Sequence, residues 1–437
     1  MDIRTPRLSR GRTIPTVAAV AAVTVVTILV AGVGVARSFL EDAFNYHIDF
    51  DVYRAGGQAV LDGEPLYEGV FPVRTIALPF TYPPLSALLF VPIALLPSWV
   101  GYIPFALVSA LSLVHVTVIV LNALSTERGP AGTNRTMARR TTWTIGWLLL
   151  PLAIWMWPIT QTLFYGQINI LLMLMVVADL LLPRTRWPRG MLIGLAAAIK
   201  LTPAVFGLYF LVNRQWREAV VSVVSGVGFT ALAWLVLPGQ SWTYWTETIT
   251  DPARIGGLAS AANQSVRGMI ARASGNPESM VGWYLAVVVI AVVVVLVMLG
   301  QIADGAHTAA VCTNALLALL VSPVSWAHHW VWVLPMVLVA WHCWSVERSR
   351  GAGLLTVLTV AVSLLPMHLF FPTHSNVEMQ WSGWMQVAGS GYVVLGLLWL
   401  LWQFGNVCRL AYSRYRRNRG LGFFPRVRPV PGSAPSG

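Results

Sequence analysis

The segment Leu192–Leu211, LIGLAAAIKLTPAVFGLYFL, decides how this chain is read. It is long enough to cross a bilayer, since about 20 apolar residues span a hydrocarbon layer of ~30 Å. Yet near its middle stands Lys200, the single lysine of the chain. An ammonium at that depth costs several kcal/mol unless it meets an anion or a wet cavity, which makes Lys200 a candidate functional residue. Thr202 and Pro203 follow directly and break the helix beside the charge. Broken backbone at membrane depth is tolerated only where it is buried in protein or lines a cavity. The bland alternative is a lysine that snorkels to the nearer interface, and the apolar length on both sides opposes it.

Outward from this segment the same character continues. The 437 residues are 56% hydrophobic and 11% charged, with a mean hydropathy of +0.67. No soluble core of this size needs that excess, so an all-α polytopic membrane protein is expected. The first apolar run, Ile14–Ala36, follows Arg4, Arg7, Arg10 and Arg12. It is too long for a signal-peptide core and reads as a first transmembrane helix behind a cytoplasmic N-terminus, residues 1–13. Further apolar segments fall at 83–97, 101–123, 143–157, 168–182, 190–212, 218–237, 281–300, 308–322, 329–342, 354–371 and 385–404. Residues 14–405 then form one membrane domain of about twelve transmembrane helices. Residues 406–437 form a basic, Pro/Gly-rich cytoplasmic tail with Arg409, Arg414, Arg416, Arg417, Arg419, Arg426 and Arg428. The net charge of +12 sits in this tail and at segment ends. It suits cytoplasmic flanks beside anionic lipid, not nucleic acid. Cys312, Cys343 and Cys408 have no metal-ligand spacing and suggest no disulfide framework.

Two long outer loops are expected, about 37–81 with Glu41, Asp42, Asp49, Asp51 and Glu64, and about 239–280, rich in Trp, Thr, Gly and Asn. Strict alternation would put Arg128, Arg135, Arg139 and Arg140 outside, against the positive-inside bias. Keeping 124–142, 183–189 and 213–217 inside requires 83–97 to be re-entrant or interfacial. It also requires 190–212 to be two half-helices that meet near Lys200. This second threading sets the polar motifs on one outer-facing side and is preferred.

Five motifs carry chemistry. In Ile48–Arg54, IDFDVYR, a carboxylate can take a proton from a hydroxyl if burial tunes it. On extended backbone Asp49 and Asp51 face opposite ways, so at most one faces a site; the alternative is a solvated acid or a helix N-cap. In Phe80–Pro84, FTYPP, two prolines fix the path into the next apolar segment, and Tyr82 suits an interfacial belt. In Tyr165–Asn169, YGQIN, Gln167 and Asn169 offer donors to a sugar or phosphate oxygen at a helix start, with capping as the alternative for Asn169. In Ser322–Trp330, SPVSWAHHW, the adjacent His328 and His329 lack the i, i+4 spacing of a metal pair. One of them suits a substrate phosphate or a proton shuttle, and Trp326 offers a flat face to a sugar ring. In Asn263–Arg267, NQSVR, two amides and an arginine suit acceptor hydroxyls or a phosphate.

In order, DFDVYRAGGQAVLDGEPLY (Asp49–Tyr67), FTYPPLSALLF (Phe80–Phe90), GQINILLM (Gly166–Met173), IKLTPAVFGLYFL (Ile199–Leu211) and SPVSWAHHWVW (Ser322–Trp332) resemble glycosyltransferase family 87. The likeness is greatest to the actinobacterial polyprenyl-phosphate-mannose-dependent α-(1→2)-mannosyltransferases of phosphatidylinositol mannoside, lipomannan and lipoarabinomannan assembly. It covers nearly all of residues 45–345, and the ordered set is specific where no single motif is. The resemblance implies a GT-C fold in the cytoplasmic membrane with its active site on the outer side. It implies inverting transfer of mannose from polyprenyl-phosphate-mannose to a lipid-linked mannoside. Asp49 is implied as general base, with Asp51 the runner-up, and His328 as part of the catalytic centre. Lys200, Gln167, Asn169, His329, Arg267 and Tyr82 are expected toward donor phosphate and sugar. Asn263, Gln264 and Trp326 are expected toward the acceptor. No cofactor and no metal are expected, although Asp49-x-Asp51 mimics a metal motif. Membrane lipid is an expected partner and nucleic acid is not.

Two other functions use similar parts. A transporter or flippase of a lipid-linked sugar also has broken helices and a midplane charge, but it is expected to have pseudo-symmetric halves, and the sequence has no internal repeat. An arabinosyltransferase using decaprenyl-phosphate-arabinose needs nearly the same machinery. A membrane scaffold leaves Lys200 without a reason.

Overall fold

A computed structural model of the chain describes residues 47–127, 139–251, 254, 256–276, 280–373 and 376–418. The expected first helix at 14–36, the acids Glu41 and Asp42, Arg128 and Arg135, and the tail residues Arg419, Arg426 and Arg428 lie outside the described residues.

The first layer of the fold is short and outside the long helices. Helix α1 (Ile48–Asp62) is followed by an antiparallel hairpin of β1 (Phe71–Val73) and β2 (Ile76–Leu78), then α2 (Pro84–Ala94). The expected outer loop at 37–81 is therefore largely structured where it is described. Next come α3 (Ser98–Thr126), α4 (Arg139–Trp155), α5 (Trp157–Tyr165), α6 (Asn169–Leu181) and α7 (Met191–Ile199). A 3₁₀ turn, Thr202–Phe206, leads into α8 (Gly207–Val212), α9 (Trp216–Val236), α10 (Pro238–Thr246) and α11 (Val266–Ser274). The last part holds α12 (Val281–Ala303), α13 (His307–Val321), a 3₁₀ segment Ala327–Trp332, α14 (Val333–Ser345), α15 (Arg350–Leu364), α16 (Gly383–Gly389) and α17 (Gly391–Asn418). The second expected loop, 239–280, likewise contains two helices, α10 and α11.

Among the described residues, five helices are long and apolar enough to cross a membrane: α3, α9, α12, α15 together with the 3₁₀ turn that carries it on to Leu369, and α17. The pair α4–α5, bent by 81°, makes a sixth if it counts as one span. The chain is a multi-pass membrane protein, but the expectation of about twelve crossings does not carry over one for one. Several apolar segments are cut short. The 15 residues of α13 reach only ~22 Å at 1.5 Å per residue, short of the hydrocarbon thickness. The 11 residues of α2 reach about half of it, which fits the re-entrant or interfacial path expected for 83–97. Apolar composition marks such segments, while prolines and glycines at 83, 84, 166, 203 and 323 decide their length.

The break at Lys200 is present. Helix α7 ends at Ile199, and Lys200 is extended with φ −147° and ψ 125°. The Pro203 ring would clash with the carbonyl of Ile199, four residues back, so the helix stops there. Two apolar clusters meet at this break. One holds α6, α13, α14 and α17 together and includes Phe206, Trp330 and Trp399. The other joins α1, the hairpin, α2 and α7, and includes Ile199, Tyr53, Tyr67 and Phe80. On the outside, α9 presents Val220, Val223, Val224 and Val227, all more than 60% exposed, the surface expected against lipid.

Helix α7 is held against α9 by the lack of a side chain. A Cβ on Gly194 would stand 2.5 Å from the Ser222 carbonyl oxygen and 2.6 Å from the Gly226 nitrogen. Gly194→Ala therefore forces two backbones apart, at the ~1–3 kcal/mol typical of overpacking. Gly228→Ala meets nothing within 4 Å. Thermal denaturation of the two purified variants in detergent should give a lowered melting temperature for the first and an unchanged one for the second.

Candidate active site

Lys200 leaves the helix at its break and finds polar company. Its Nζ donates to Asn169 Oδ1 at 2.8 Å and stands 3.4 Å from His329 Nε2. The ring of Tyr82 lies beneath it, 5.3 Å to the centroid, a favourable cation–π arrangement. Asn169 opens α6 but does not cap it. Its other end, Nδ2, donates to the His328 carbonyl at 3.0 Å, and Thr162 Oγ1 donates to the same carbonyl at 2.9 Å. Asn169 thus lies behind the wall, with both ends of its amide in use. The expected direct contact of Asn169 with a donor gives way to a role in holding Lys200 and His328.

Asp49 comes from the first turn of α1. The backbone here is helical, because the apolar residues Phe50, Val52 and Tyr53 bury one face of a helix. At ~100° per residue, Asp49 and Asp51 are still about 200° apart and point to opposite sides. Gln167 hydrogen-bonds the Asp49 carboxylate. Since a carboxylate only accepts, the Gln167 amide nitrogen is the donor. The amide is oriented by its other end, where Oε1 accepts from Tyr53 at 2.9 Å and Tyr82 at 3.1 Å. Burial pushes the Asp49 carboxyl up, to about 6, against the downward pull of the Gln167 hydrogen bond and the Lys200 charge. Gly166 makes this approach possible. It turns with φ +69°, and a Cβ there would stand 2.5 Å from Phe50 Cβ.

Asp51 faces away. It accepts from Arg74 Nε at 2.9 Å and from the Ser98 hydroxyl, and Arg54 stands 3.8 Å off. It ties α1 to the hairpin and to the start of α3, so the runner-up base is spent in structure.

His328 and His329 lie with ring centroids 4.8 Å apart at 85°. His328 also meets Tyr165 edge-on at 5.7 Å. Its Nε2 is buried and has no hydrogen-bond partner among the described residues. Both histidines line one cavity, because the segment Ala327–Trp332 is a 3₁₀ turn with non-helical backbone at Trp330.

That cavity, about 480 Å³, is where the parts converge: Asp49, Tyr82, Gln167, Lys200, His328 and His329, with Trp326 also on its wall. The base candidate and the buried ammonium open onto the same chamber. Besides Asp51 and Asn169, three expected residues do not. Asn263 Oδ1 accepts from the Ser325 nitrogen at 3.0 Å, and its Nδ2 donates to the Leu258 and Pro323 carbonyls. Gln264 Nε2 donates to the Ala261 and Gly389 carbonyls at 2.8 and 2.7 Å, while Oε1 accepts from the Tyr392 nitrogen at 3.3 Å. These amides are struts with no free end for an acceptor. Arg267 is buried over the Trp283 ring at 4.9 Å and does not line the chamber, since α11 turns it toward α12. In its place the wall carries Arg254, a lone arginine between α10 and α11 that no motif marks.

Residues 80–323 match the sequence model of glycosyltransferase family 87. The chain belongs to glycosyltransferase family 87. It is a glycosyltransferase whose candidate site is the chamber just described. It is 37% identical over 352 residues to the polyprenol-phosphate-mannose-dependent alpha-(1-2)-phosphatidylinositol mannoside mannosyltransferase of Mycobacterium tuberculosis, covering 80% of this chain and 82% of that protein. The protein of the same name from Mycolicibacterium smegmatis is 38% identical over 369 residues, with 80% and 81% covered. The polyprenol-phosphate-mannose-dependent alpha-(1-2)-phosphatidylinositol pentamannoside mannosyltransferase of M. smegmatis is 34% identical over 377 residues, with 84% and 85% covered.

The strut role of Gln264 is measurable. Gln264→Ala leaves two carbonyls and one N–H unpaired in a buried place, each worth ~1–3 kcal/mol. The family 87 enzyme so altered should melt markedly earlier by scanning fluorimetry while the surviving activity keeps its acceptor KM. A raised acceptor KM at an unchanged melting temperature would return the amide to the binding site.

Proposed function

We propose that this family 87 enzyme is an inverting α-(1→2)-mannosyltransferase of GT-C type. It moves mannose from polyprenyl-phosphate-mannose to a phosphatidylinositol-anchored mannoside at the outer face of the cytoplasmic membrane. The single observation that carries this reading is that Asp49 and Lys200 line one chamber. The relatives named above support the choice of sugar and acceptor.

The chemistry asks for what the chamber holds. The donor carries mannose in β linkage to phosphate, and an α product requires one in-line displacement. The acceptor 2-hydroxyl oxygen bonds to C1 and gives its proton to Asp49. The bond from C1 to the phosphate oxygen breaks, and its electron pair stays on the phosphate. A carboxyl tuned to about 6 is ionised at neutral pH and still basic enough to assist, the compromise that general-base catalysis favours. Gln167 aims it, and Tyr53 and Tyr82 aim Gln167. Lys200 meets the charge that grows on the phosphate, and exclusion of water from the chamber strengthens that attraction. His328 and His329 border the same space, with Trp326 offering a face to the sugar. With Lys200 supplying the positive charge, the reaction needs no divalent ion.

A groove of about 820 Å³ runs between α7–α8 and α9, lined by Ala197, Ala204, Leu208, Val223 and Trp234 among others. Leu201 borders both this groove and the chamber. A prenyl chain laid in the groove would bring its phosphate to Lys200, the neighbouring residue. The arginine-bearing turns at 183–189 and 213–217 then face the cytoplasm, as the positive-inside bias favours.

In vitro transfer from polyprenyl-phosphate-mannose to a panel of mannosides, with linkage read by methylation analysis, tests the reading. Asp49→Asn should lower the rate by ~10²–10⁴-fold, the usual worth of a positioned base, in a protein of normal melting temperature. The base acts when deprotonated, and its value is raised, so wild-type activity should fall on acidification through about 6, not near the ordinary carboxylate range. Lys200→Met should raise the donor KM more than the acceptor KM. Full activity in Asp49→Asn, or transfer from decaprenyl-phosphate-arabinose in preference to the mannosyl donor, would overturn the assignment.

A further inference from the structure

Arg254 lines the chamber together with Asp49 and Lys200. Its Nε and Nη2 are buried and have no hydrogen-bond partner among the described residues. A guanidinium carries five donors and no acceptor, and donors left unused away from water are costly. Donors in that condition on the wall of a polar cavity have the chemistry of a site for an anion. Two tyrosines lie near both cations on that wall. The Arg254 charge acts on Tyr67, the Tyr67 hydroxyl donates to the Tyr82 carbonyl at 2.7 Å, and the Tyr82 ring lies beneath Lys200 Nζ. Both cations therefore border the same aromatic wall.

We propose that Arg254 is a second phosphate-binding residue, closing on the donor phosphate from the side opposite its prenyl chain while Lys200 holds the near side. This rests on the transfer reading above. The donor phosphate is a diester with one negative charge. When the C1–O bond breaks and its electron pair passes to the phosphate, the leaving prenyl phosphate becomes a monoester with a second charge. Lys200 already spends one of its three donors on Asn169. A planar guanidinium can take two phosphate oxygens at once, which an ammonium cannot. The arginine thus answers the charge that appears during the step, and its effect falls on the rate and on the leaving group more than on the acceptor.

The test uses the purified full chain in nanodiscs, with wild type, Arg254→Gln and Arg254→Lys. Two readouts are taken: transfer from polyprenyl-phosphate-mannose to a phosphate-free mannoside and to a phosphatidylinositol mannoside, and binding of polyprenyl phosphate alone, followed by tryptophan fluorescence. Arg254→Gln should lower kcat/KM for the donor by ~10–10²-fold and weaken prenyl phosphate binding ~10-fold, in line with loss of one charge-assisted contact. Arg254→Lys should recover part of both, and the acceptor KM should not move. Prenyl phosphate binding unchanged in Arg254→Gln overturns the proposal, as does a loss that appears only with acceptors carrying a phosphodiester. If Arg254→Gln melts early, the wild-type and Arg254→Lys pair decides, since equal prenyl phosphate affinity in those two excludes a two-oxygen contact. Failure of the transfer reading would appear separately, as wild type that binds prenyl phosphate but moves no mannose.

Discussion

A lone ammonium in an apolar layer is the constraint around which this structure is arranged. Lys200 is tolerable only because the chain around it stops being a helix. Pro203 ends α7 at Ile199, the extended residue turns its side chain out of the bundle wall, and Asn169 and His329 receive it. Those partners are themselves held. Asn169 and Thr162 share the His328 carbonyl, so the residues that satisfy the charge also fix the histidine segment. Removing the charge would leave an orphaned amide and an unsupported turn, not merely an empty corner.

The second half of the site arrives from outside the long helices. Helix α1 is short and mostly unlike a membrane span, and its two acids do separate work because they stand on opposite faces. Asp51 is locked to Arg74 and Ser98 and sets the tilt of the helix. Asp49 is free to face the chamber, and the Tyr53–Tyr82–Gln167 hydrogen bonds aim its neighbour at it. Tyr82 belongs to both halves. It is the ring under Lys200 and the hydroxyl on Gln167, so base and cation share one support.

How much of this can be read from the chain differs from feature to feature, for physical reasons. The break at Lys200 is legible because a charge and a proline each have one cheap solution in an apolar segment. The convergence of Asp49, Gln167, Tyr82 and the histidines was within reach of motif order and resemblance. The crossing count was not, since hydropathy reports composition and the bends report geometry, as at the 81° turn between α4 and α5. Asn263 and Gln264 were misread because an amide has the same donors and acceptors whether it meets a substrate or a carbonyl of its own chain. Only the fold shows which carbonyls come near. Asn169 fails in the same way, one layer behind the wall. Arg254 carries no local pattern at all, and its place on the chamber follows from the packing of α10 beneath Tyr67.

Asn263 and Gln264 tie the histidine turn to the far end of the chain. The turn that presents His328 and His329 is stitched to the segment 261–264 by Gln264 N to Ser325 O, Ala327 N to Ala262 O and Ser325 N to Asn263 Oδ1. That segment is in turn clamped from the far end of the chain. Arg272 donates to the Ser260 and Asn263 carbonyls at 2.7 and 2.9 Å and to the Ser390 hydroxyl at 2.9 Å, and Gln264 reaches Gly389 and Tyr392. Residues 389–392 contribute nothing to the chamber wall, yet two relays of hydrogen bonds connect them to the histidines. The last helices, which no motif distinguishes, therefore act on the chemistry through position. A slip of either segment would break these hydrogen bonds and leave buried carbonyls and N–H groups unpaired, so the C-terminal helices and the histidine turn must be in register together for the chamber to exist.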